Sequence, residues 1–345
     1  MRIGDTYLDF GDVLIRPRRT TLKSRSEVNL VREFKFKHSP KIMSLVPIMA
    51  SNMDTTGTFE VYKVLSEHKL LTCLSKFLTL DDYKEFMKDN IMDPNLFVVT
   101  VGIRESEFEK MCKIVEYTKC NWICVDVANG HMQCLVDYCR KIRDRFPDKV
   151  LIAGNVAIPE MTEELIINGK VDVVKCGIGG GSVCLTRKKT GVGVPQMATI
   201  DECSDVAHKN SAHIISDGGI TCPGDASKAF VAGADFIMMG GQFAGHDENP
   251  GELIEDDDGK KYKMFYGMSS KHAMEKHYGK MEKYRSSEGR NIKIPYKGSL
   301  HNTVEDYLGG IRSCCTYIDA KKIKHMPKCG KVHPVSSQIN NHFGK

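Results

Sequence analysis

"WICVDVANGHMQCLVDYCRKIRDRFPDKVLIAGNVA", residues 122–157, holds one complete turn of the pattern that decides the fold. It opens on an apolar run from Trp122, turns through Ala128-Asn129-Gly130, and continues as a segment with apolar residues at roughly every third or fourth position. It then returns to a second apolar run at Val150. A near-continuous apolar strand is one covered on both faces, and the amphipathic segment between two such strands reads as a crossover helix. The same unit recurs along the chain. Strand-like runs begin at Ile42 ("IMSLVPIMA"), Leu70 ("LLTCLSK"), Leu96 ("LFVVTVG"), Trp122, Val150, Val171 ("VDVVKCGIG"), His213 ("HIISDGG") and Asp235 ("DFIMMGG").

Eight βα units predict an α/β chain folded as a single (β/α)8 TIM barrel over residues 1–345, with its site on the loops that follow the strands. Those loops carry Asn52-Met53-Asp54, Ser75-Lys76, Asp126, Gly154-Asn155, Gly177 to Gly181, Asp217-Gly218-Gly219 and Gly240-Gly241. The spacing breaks once, after strand eight. There "GELIEDDDGKKYKMFYG" predicts a hairpin turning at Asp256 to Gly259, and the polar stretch beyond it predicts a mobile lid, the whole excursion covering about 246–300. The last helical stretch is "TVEDYLGGIRSCCTY", residues 303–317.

Composition narrows the function. Apolar residues make up 41% and charged residues 27%, the balance of an ordinary soluble globular protein. The net charge of +5 is spread among interspersed acids and bases, which argues against a nucleic-acid partner while suiting small anionic ligands. No secretory leader or membrane-length apolar run is visible, so a cytosolic protein without a membrane partner is expected. Thirteen cysteines without paired C-x-x-C spacing read as reduced thiols. One of them, Cys184, sits in "GIGGGSVCLTRKKTGVG", residues 177–193, between a run of glycines and a run of cations. Glycine-rich backbone offers N–H groups to an anion, and a nearby cation such as Arg187 favours the thiolate that cysteine chemistry needs.

With "LDFGDVLIRP" (8–17), "SDGGI" (216–220) and "MMGGQFAGHDE" (238–248), the stretch "GIGGGSVCLTRKKTGVGVPQ" resembles the family of IMP dehydrogenase and GMP reductase over almost the whole chain. The reductase branch is favoured on three counts. The chain has no room for the regulatory domain that dehydrogenases insert in the barrel. "FYGMSSKHAM" (265–274) looks like the reductase phosphate loop, and Glu288 in "YRSSEG" stands where dehydrogenases typically have Gln. Two positions depart from the family pattern: Gly180, where Pro is usual, and Leu185, where Thr is common.

The resemblance implies NADPH-dependent reductive deamination of GMP to IMP and ammonia. It casts Cys184 as the nucleophile at C2 of the purine, with Thr186 and Glu288 protonating the departing amine. The same resemblance assigns Ser182, Gly218, Gly219, Gly240, Gly241, Gly267, Met268 and Ser269 to the phosphate cradle, Asp217 to the ribose, and Arg285, Ser286, Ser287, Glu288 and Gly289 to the base. NADPH would fall to Ser24, Arg25, Lys76, Asp126, Val127, Ala128, Ile178, Gly179, Met268, Tyr284, Arg285, Ser313, Cys314, Cys315 and Thr316, partly across the subunit boundary of a homotetramer. K+ would sit on the carbonyls of Gly179, Gly181, Cys184 and Arg187. Two rivals are an IMP dehydrogenase lacking its regulatory domain and a catalytically idle nucleotide-binding scaffold. Tyr296 and Lys297, in place of an Arg-Tyr base pair, speak against the first; intact Cys184, Thr186 and Glu288 speak against the second.

Overall fold

The computed structural model describes residues 6–280 and 286–336. Eight parallel strands close a barrel: β1 (Ile48–Ala50), β2 (Leu71–Leu74), β3 (Phe97–Val101), β4 (Trp122–Asp126), β5 (Val150–Val156), β6 (Val173–Cys176), β7 (His213–Asp217) and β8 (Phe236–Met239). Each pairs with its sequence neighbours, and β8 pairs with β1 to complete the ring. The covering helices follow in the same order: α1 (Phe59–Glu67), α2 (Leu80–Asp89), α3 (Glu105–Thr118), α4 (Gln133–Arg145), α5 (Pro159–Ile167), α6 (Gln196–Lys209), α7 (Pro223–Ala232) and α8 (Leu300–Tyr317). Local chemistry sets where several of them start. The Thr58 side chain accepts from Val61 N–H, Thr79 and Asp82 form a reciprocal capping box, and Pro159 and Pro223 supply a fixed φ at the first turn. The strand residues of β3, from Phe97 to Val101, are all buried, which is why no alternation is visible in their sequence. Among the described residues no helix is long and apolar enough to cross a membrane.

One predicted strand is two. "IMSLVPIMA" breaks at Val46-Pro47, because Pro47 has no N–H for a ladder. Ile42–Leu45 pairs antiparallel with Arg32–Lys35 and alternates exposed and buried, whereas Ile48–Ala50 is wholly buried as β1. This small hairpin closes the amino-terminal end of the barrel. Phe34 stacks on Phe236 at 4.3 Å between centroids, and Phe36 meets Trp122 edge-on at 5.3 Å. The excursion after β8 forms a sheet of Ile254–Glu255, Lys261–Tyr266 and Asn291–Pro295, with a helix at Lys271–Tyr278. Its turn lies where the sequence puts it: Asp256 Oδ1 accepts from the N–H groups of Asp258 and Lys260 at 3.1 and 2.8 Å.

Under the barrel floor, Asp235 is 1% exposed and accepts from Arg32 at 2.6 Å and from Ile214 N–H at 3.1 Å, with His208 at 2.8 Å and His213 at 3.3 Å. Burial alone would raise this carboxyl, but His213, His208 and Arg32 hold it well below its usual value of 3.8. The bond to Asp235 in turn raises His208 above 6.5. The Asp235 contribution is therefore present above pH 3.8 and lost as pH falls toward its folded value; the His208 contribution is present below 6.5 and lost as pH rises through its raised value. Asp235→Ala should cost about 3–5 kcal/mol in urea unfolding, since it strands buried cations. The deficit against wild type should be widest between about pH 4 and 6.5, and a deficit that does not vary with pH would show that these groups are not coupled.

Candidate active site

The site is built at the carboxyl ends of the strands, around the loop that follows β6. Residues 183–185 of that loop lie against residues 288–290 of the excursion. Leu185 N–H donates to the Glu288 carbonyl at 2.5 Å, Arg290 N–H donates to the Val183 carbonyl at 3.0 Å, and Cys184 pairs with Gly289 as an isolated antiparallel bridge. The Arg290 guanidinium adds bonds to the Ser182 carbonyl at 3.1 and 2.8 Å. Below this seam Val183, Ala244 and Phe265 make a small apolar cluster of their own, with Met53, Ile292 and Ile294 packed against it. The consequence is a chain of three side chains. The Cys184 thiol donates to Thr186 Oγ1 at 3.3 Å, and the Thr186 hydroxyl donates to Glu288 Oε2 at 2.6 Å. A proton can thus pass between the sulfur and the carboxylate through one hydroxyl, which is 102 residues from that carboxylate in sequence.

Cys184, Thr186 and Glu288 open into a cleft of about 720 Å3, within the roughly 300–1,000 Å3 of small-molecule sites. Lys76, Asp126, Val127, Ala128, Ile178 and Gly179 share its walls with Asp217, Gly267, Met268, Ser269, Ser286 and Gly289. A second cleft adjoins it at Gly181 and Gly218 and collects Ser182, Gly219, Gly240 and Gly241. Gly218 and Gly219 both have positive φ, +95° and +79°, so this turn suits residues without a Cβ and leaves its backbone open to a ligand. Lys297 braces the neighbouring turn, donating to the carbonyls of Gly241 and Gln242 at 3.1 Å each, and burial pushes its amine down to about 8.

Several expected residues are placed otherwise. The Arg187 guanidinium is bonded to the Val194 carbonyl at 2.7 Å and paired with Asp9 at 3.5 Å, so Thr186, and not a cation, is the thiol's bonded neighbour. Ser24 and Arg25 lie in a turn that packs on α8, the helix that carries Ser313, Cys314 and Thr316, and none of these residues lines the cleft. The side chain of Cys315 faces the core, and burial pushes its thiol up to about 12. Ser287 donates to the Gly289 carbonyl at 2.9 Å and accepts from Lys271 N–H at 3.2 Å, a bracing role. Tyr284 and Arg285 fall outside the described residues. The two departures from the family pattern are sterically mild. A Cβ on Gly180 would meet nothing closer than 3.5 Å, and Leu185 serves the seam through its backbone N–H.

The sequence reading missed two groups. Asp54 lies under the excursion helix, where its Oδ2 accepts from Tyr266 OH at 2.9 Å, from Lys276 Nζ at 3.1 Å and from His277 Nε2 at 2.6 Å. The His277 ring stacks on Phe77 at 3.4 Å between centroids. Burial opposes the charge on Asp54, but the bonds from His277, Lys276 and Tyr266 prevail and hold its carboxyl below the usual range. The other missed group is Lys175, buried between Asp126 and Asp217 at 2.9 and 2.6 Å; Asp126 also accepts from Asn52, and Asp217 from Asn155. Only a lone lysine in an otherwise apolar strand hinted at it. Asp54→Asn should loosen the helix: amide exchange over 271–278 should speed up by about tenfold or more while the barrel strands stay protected, and unchanged exchange would mean that Asp54 does not hold it.

Known proteins resemble this chain over nearly its whole length. The model of the IMP dehydrogenase / GMP reductase domain matches residues 7–341. Among curated relatives, GMP reductase 2 of Homo sapiens is 50% identical over 343 residues, covering 99% of this chain and 98% of its own. The GMP reductase of Aliivibrio fischeri is 51% identical over 350 residues, covering both chains completely, and that of Vibrio parahaemolyticus is 51% identical over 349 residues, covering 100% and 99%. With its barrel, its cysteine loop and these relatives taken together, the chain belongs to the IMP dehydrogenase / GMP reductase family.

Proposed function

We propose that this chain is an NADPH-dependent GMP reductase that converts GMP to IMP and ammonia, in purine nucleotide salvage and interconversion. The observation that carries the reading is the hydrogen-bonded series from Cys184 through Thr186 to Glu288. An amide ion is too poor a leaving group to depart from a purine, so loss of the C2 amine requires a proton, and a carboxyl group in reach of the sulfur can supply it. Cys184 Sγ bonds to C2 of the base as its proton passes by Thr186 to Glu288. The C2–N bond then breaks, and the nitrogen leaves as ammonia carrying the proton that the thiol gave up. The nicotinamide cofactor, when bound, supplies hydride to C2. The C–S bond breaks with its electron pair on Cys184, which recovers a proton from solvent.

The remaining assignments follow the site. Backbone N–H groups at Gly218, Gly219, Gly240, Gly241 and Ser269, with the Ser182 hydroxyl, hold the 5′-phosphate beside Gly267, whose own N–H is taken by the Arg290 carbonyl at 3.2 Å, and Asp217 accepts from the ribose hydroxyls. Lys76, Asp126, Val127, Ala128, Ile178 and Gly179 suit the cofactor, because all of them line the cleft into which Cys184 opens. Ser24, Arg25 and the Ser313–Thr316 segment would serve a neighbouring subunit's cofactor in a homotetramer, which accounts for their distance from this chain's own cleft. A K+ ion would take the carbonyls of Gly179, Gly181, Cys184 and Arg187. Those of Gly181 and Arg187 each accept one N–H already, at 3.0 and 3.1 Å, and a carbonyl keeps a second lone pair. Residues 246–300 would act as a mobile lid on one barrel domain, in the cytosol.

Purified protein given GMP and NADPH should lose the reduced-nicotinamide absorbance and release ammonia in equal amount, with IMP as product. Steady xanthosine monophosphate from IMP and NAD+, with no reaction of GMP, would make it a dehydrogenase instead. Cys184→Ala should abolish turnover yet bind GMP, and residual activity above about a thousandth of wild type would remove the nucleophile, since lesser catalytic groups contribute about 10²- to 10⁴-fold. Glu288→Gln should keep nucleotide affinity and lose ammonia release.

A further inference from the structure

The chemistry above gives no role to a charged group buried at the barrel mouth. Lys175 lies on β6 with its side chain 4% exposed, and its Nζ donates to Asp126 Oδ1 at 2.9 Å and to Asp217 Oδ2 at 2.6 Å. Asp126 ends β4 and Asp217 ends β7, so a single ammonium ties together strands on two sides of the barrel mouth. Each carboxylate has a second donor: Asn52 Nδ2 reaches Asp126 Oδ2 at 2.9 Å, and Asn155 Nδ2 reaches Asp217 Oδ2 at 2.8 Å. Both donors to Asp217 therefore use the same oxygen. Among the described residues no hydrogen bond is made to its Oδ1, while Asp217 itself borders both clefts. Without the ammonium, the repulsion between the two carboxylates would go uncompensated. A rotated Asp217 is a poor acceptor for a pair of hydroxyls.

We infer that Lys175 is a positioning residue, which clamps the inner oxygen of Asp217 so that the outer one meets a vicinal diol, and locks Asp126 into the same clamp. The inference rests on the nucleotide reading of the site, because the ribose supplies that diol. A lysine that only filled space in β6 would have no selective effect on the ribose hydroxyls. The distinction is chemical: the clamp matters to ligands that carry the diol and is silent toward those that lack it.

Calorimetry of the full chain with GMP and with 2′,3′-dideoxy-GMP tests it. Lys175→Met should weaken GMP binding by about 10- to 100-fold, the scale of one or two charge-assisted hydrogen bonds, and leave dideoxy-GMP binding within about threefold of wild type. Combined with Asp217→Asn, it should add little to the loss of either single change. If Lys175→Met does not fold, Asn155→Ala, which removes the other donor to the same oxygen, should show the same selective loss in smaller measure. Equal losses for the two nucleotides, or none for GMP, would overturn the clamp. The functional reading is judged separately, since wild type that binds both nucleotides but never oxidises NADPH with GMP refutes the reaction and leaves the clamp standing. Wild type that binds neither nucleotide refutes both.

Discussion

Two backbone hydrogen bonds, Leu185 N–H to the Glu288 carbonyl and Arg290 N–H to the Val183 carbonyl, join a barrel loop to a distant part of the chain. The three residues of the proposed reaction, Cys184, Thr186 and Glu288, lie within a residue of them. Because a backbone pair fixes the direction of the side chains beside it, the seam aims Glu288 at Thr186 and Thr186 at Cys184. Only small residues let strands approach in this way at their crossing points. A Cβ on Gly289 would come within 2.6 Å of Ser270 N, and one on Gly267 within 3.1 Å of Gly289 Cα. These two glycines are explained by the closeness of three backbone segments before any ligand is considered.

The apolar cluster of Val183, Ala244 and Phe265 gives the seam its footing. It is separate from the main core; the seam, the bonds around Asp54, those from Lys297 to Gly241 and Gln242 and those from Asn249 to Thr55 and Phe243 add to the attachment of the excursion. Under the proposed function this excursion covers a reaction that must exclude water and then release product.

Buried charge is used at both ends of the barrel. At the floor, Asp235 gathers Arg32, His208 and His213 and ties the amino-terminal hairpin to β8. At the mouth the signs are reversed, and Lys175 gathers Asp126 and Asp217. Both arrangements satisfy an ion in a dry setting by surrounding it with opposite charge and hydrogen bonds, the condition under which a buried ion is tolerable. The floor carboxylate is buried, whereas the mouth cluster keeps both of its carboxylates at the surface of the clefts.

The barrel was legible in the chain because strands buried on both faces must be apolar throughout, and runs such as "LFVVTVG" leave no other reading once helices alternate with them. The cysteine loop was legible because glycines, a thiol and a hydroxyl are contiguous there, and the hairpin because Asp256 and Gly259 are local turn formers. The strand break at Pro47 was visible only in a missing N–H. The strand at Asn291–Pro295 and the helix at Lys271–Tyr278 lie in polar sequence whose structure depends on what they pack against. Sequence spacing is silent on Asp54 with His277, separated by 223 residues, and on Lys175 with Asp217, separated by 42. The chain alone fixes what each residue can donate, accept or bury. Which donor meets which acceptor was decided by closure of the ring, because only the shared geometry of eight strand ends brings those charges within 3 Å.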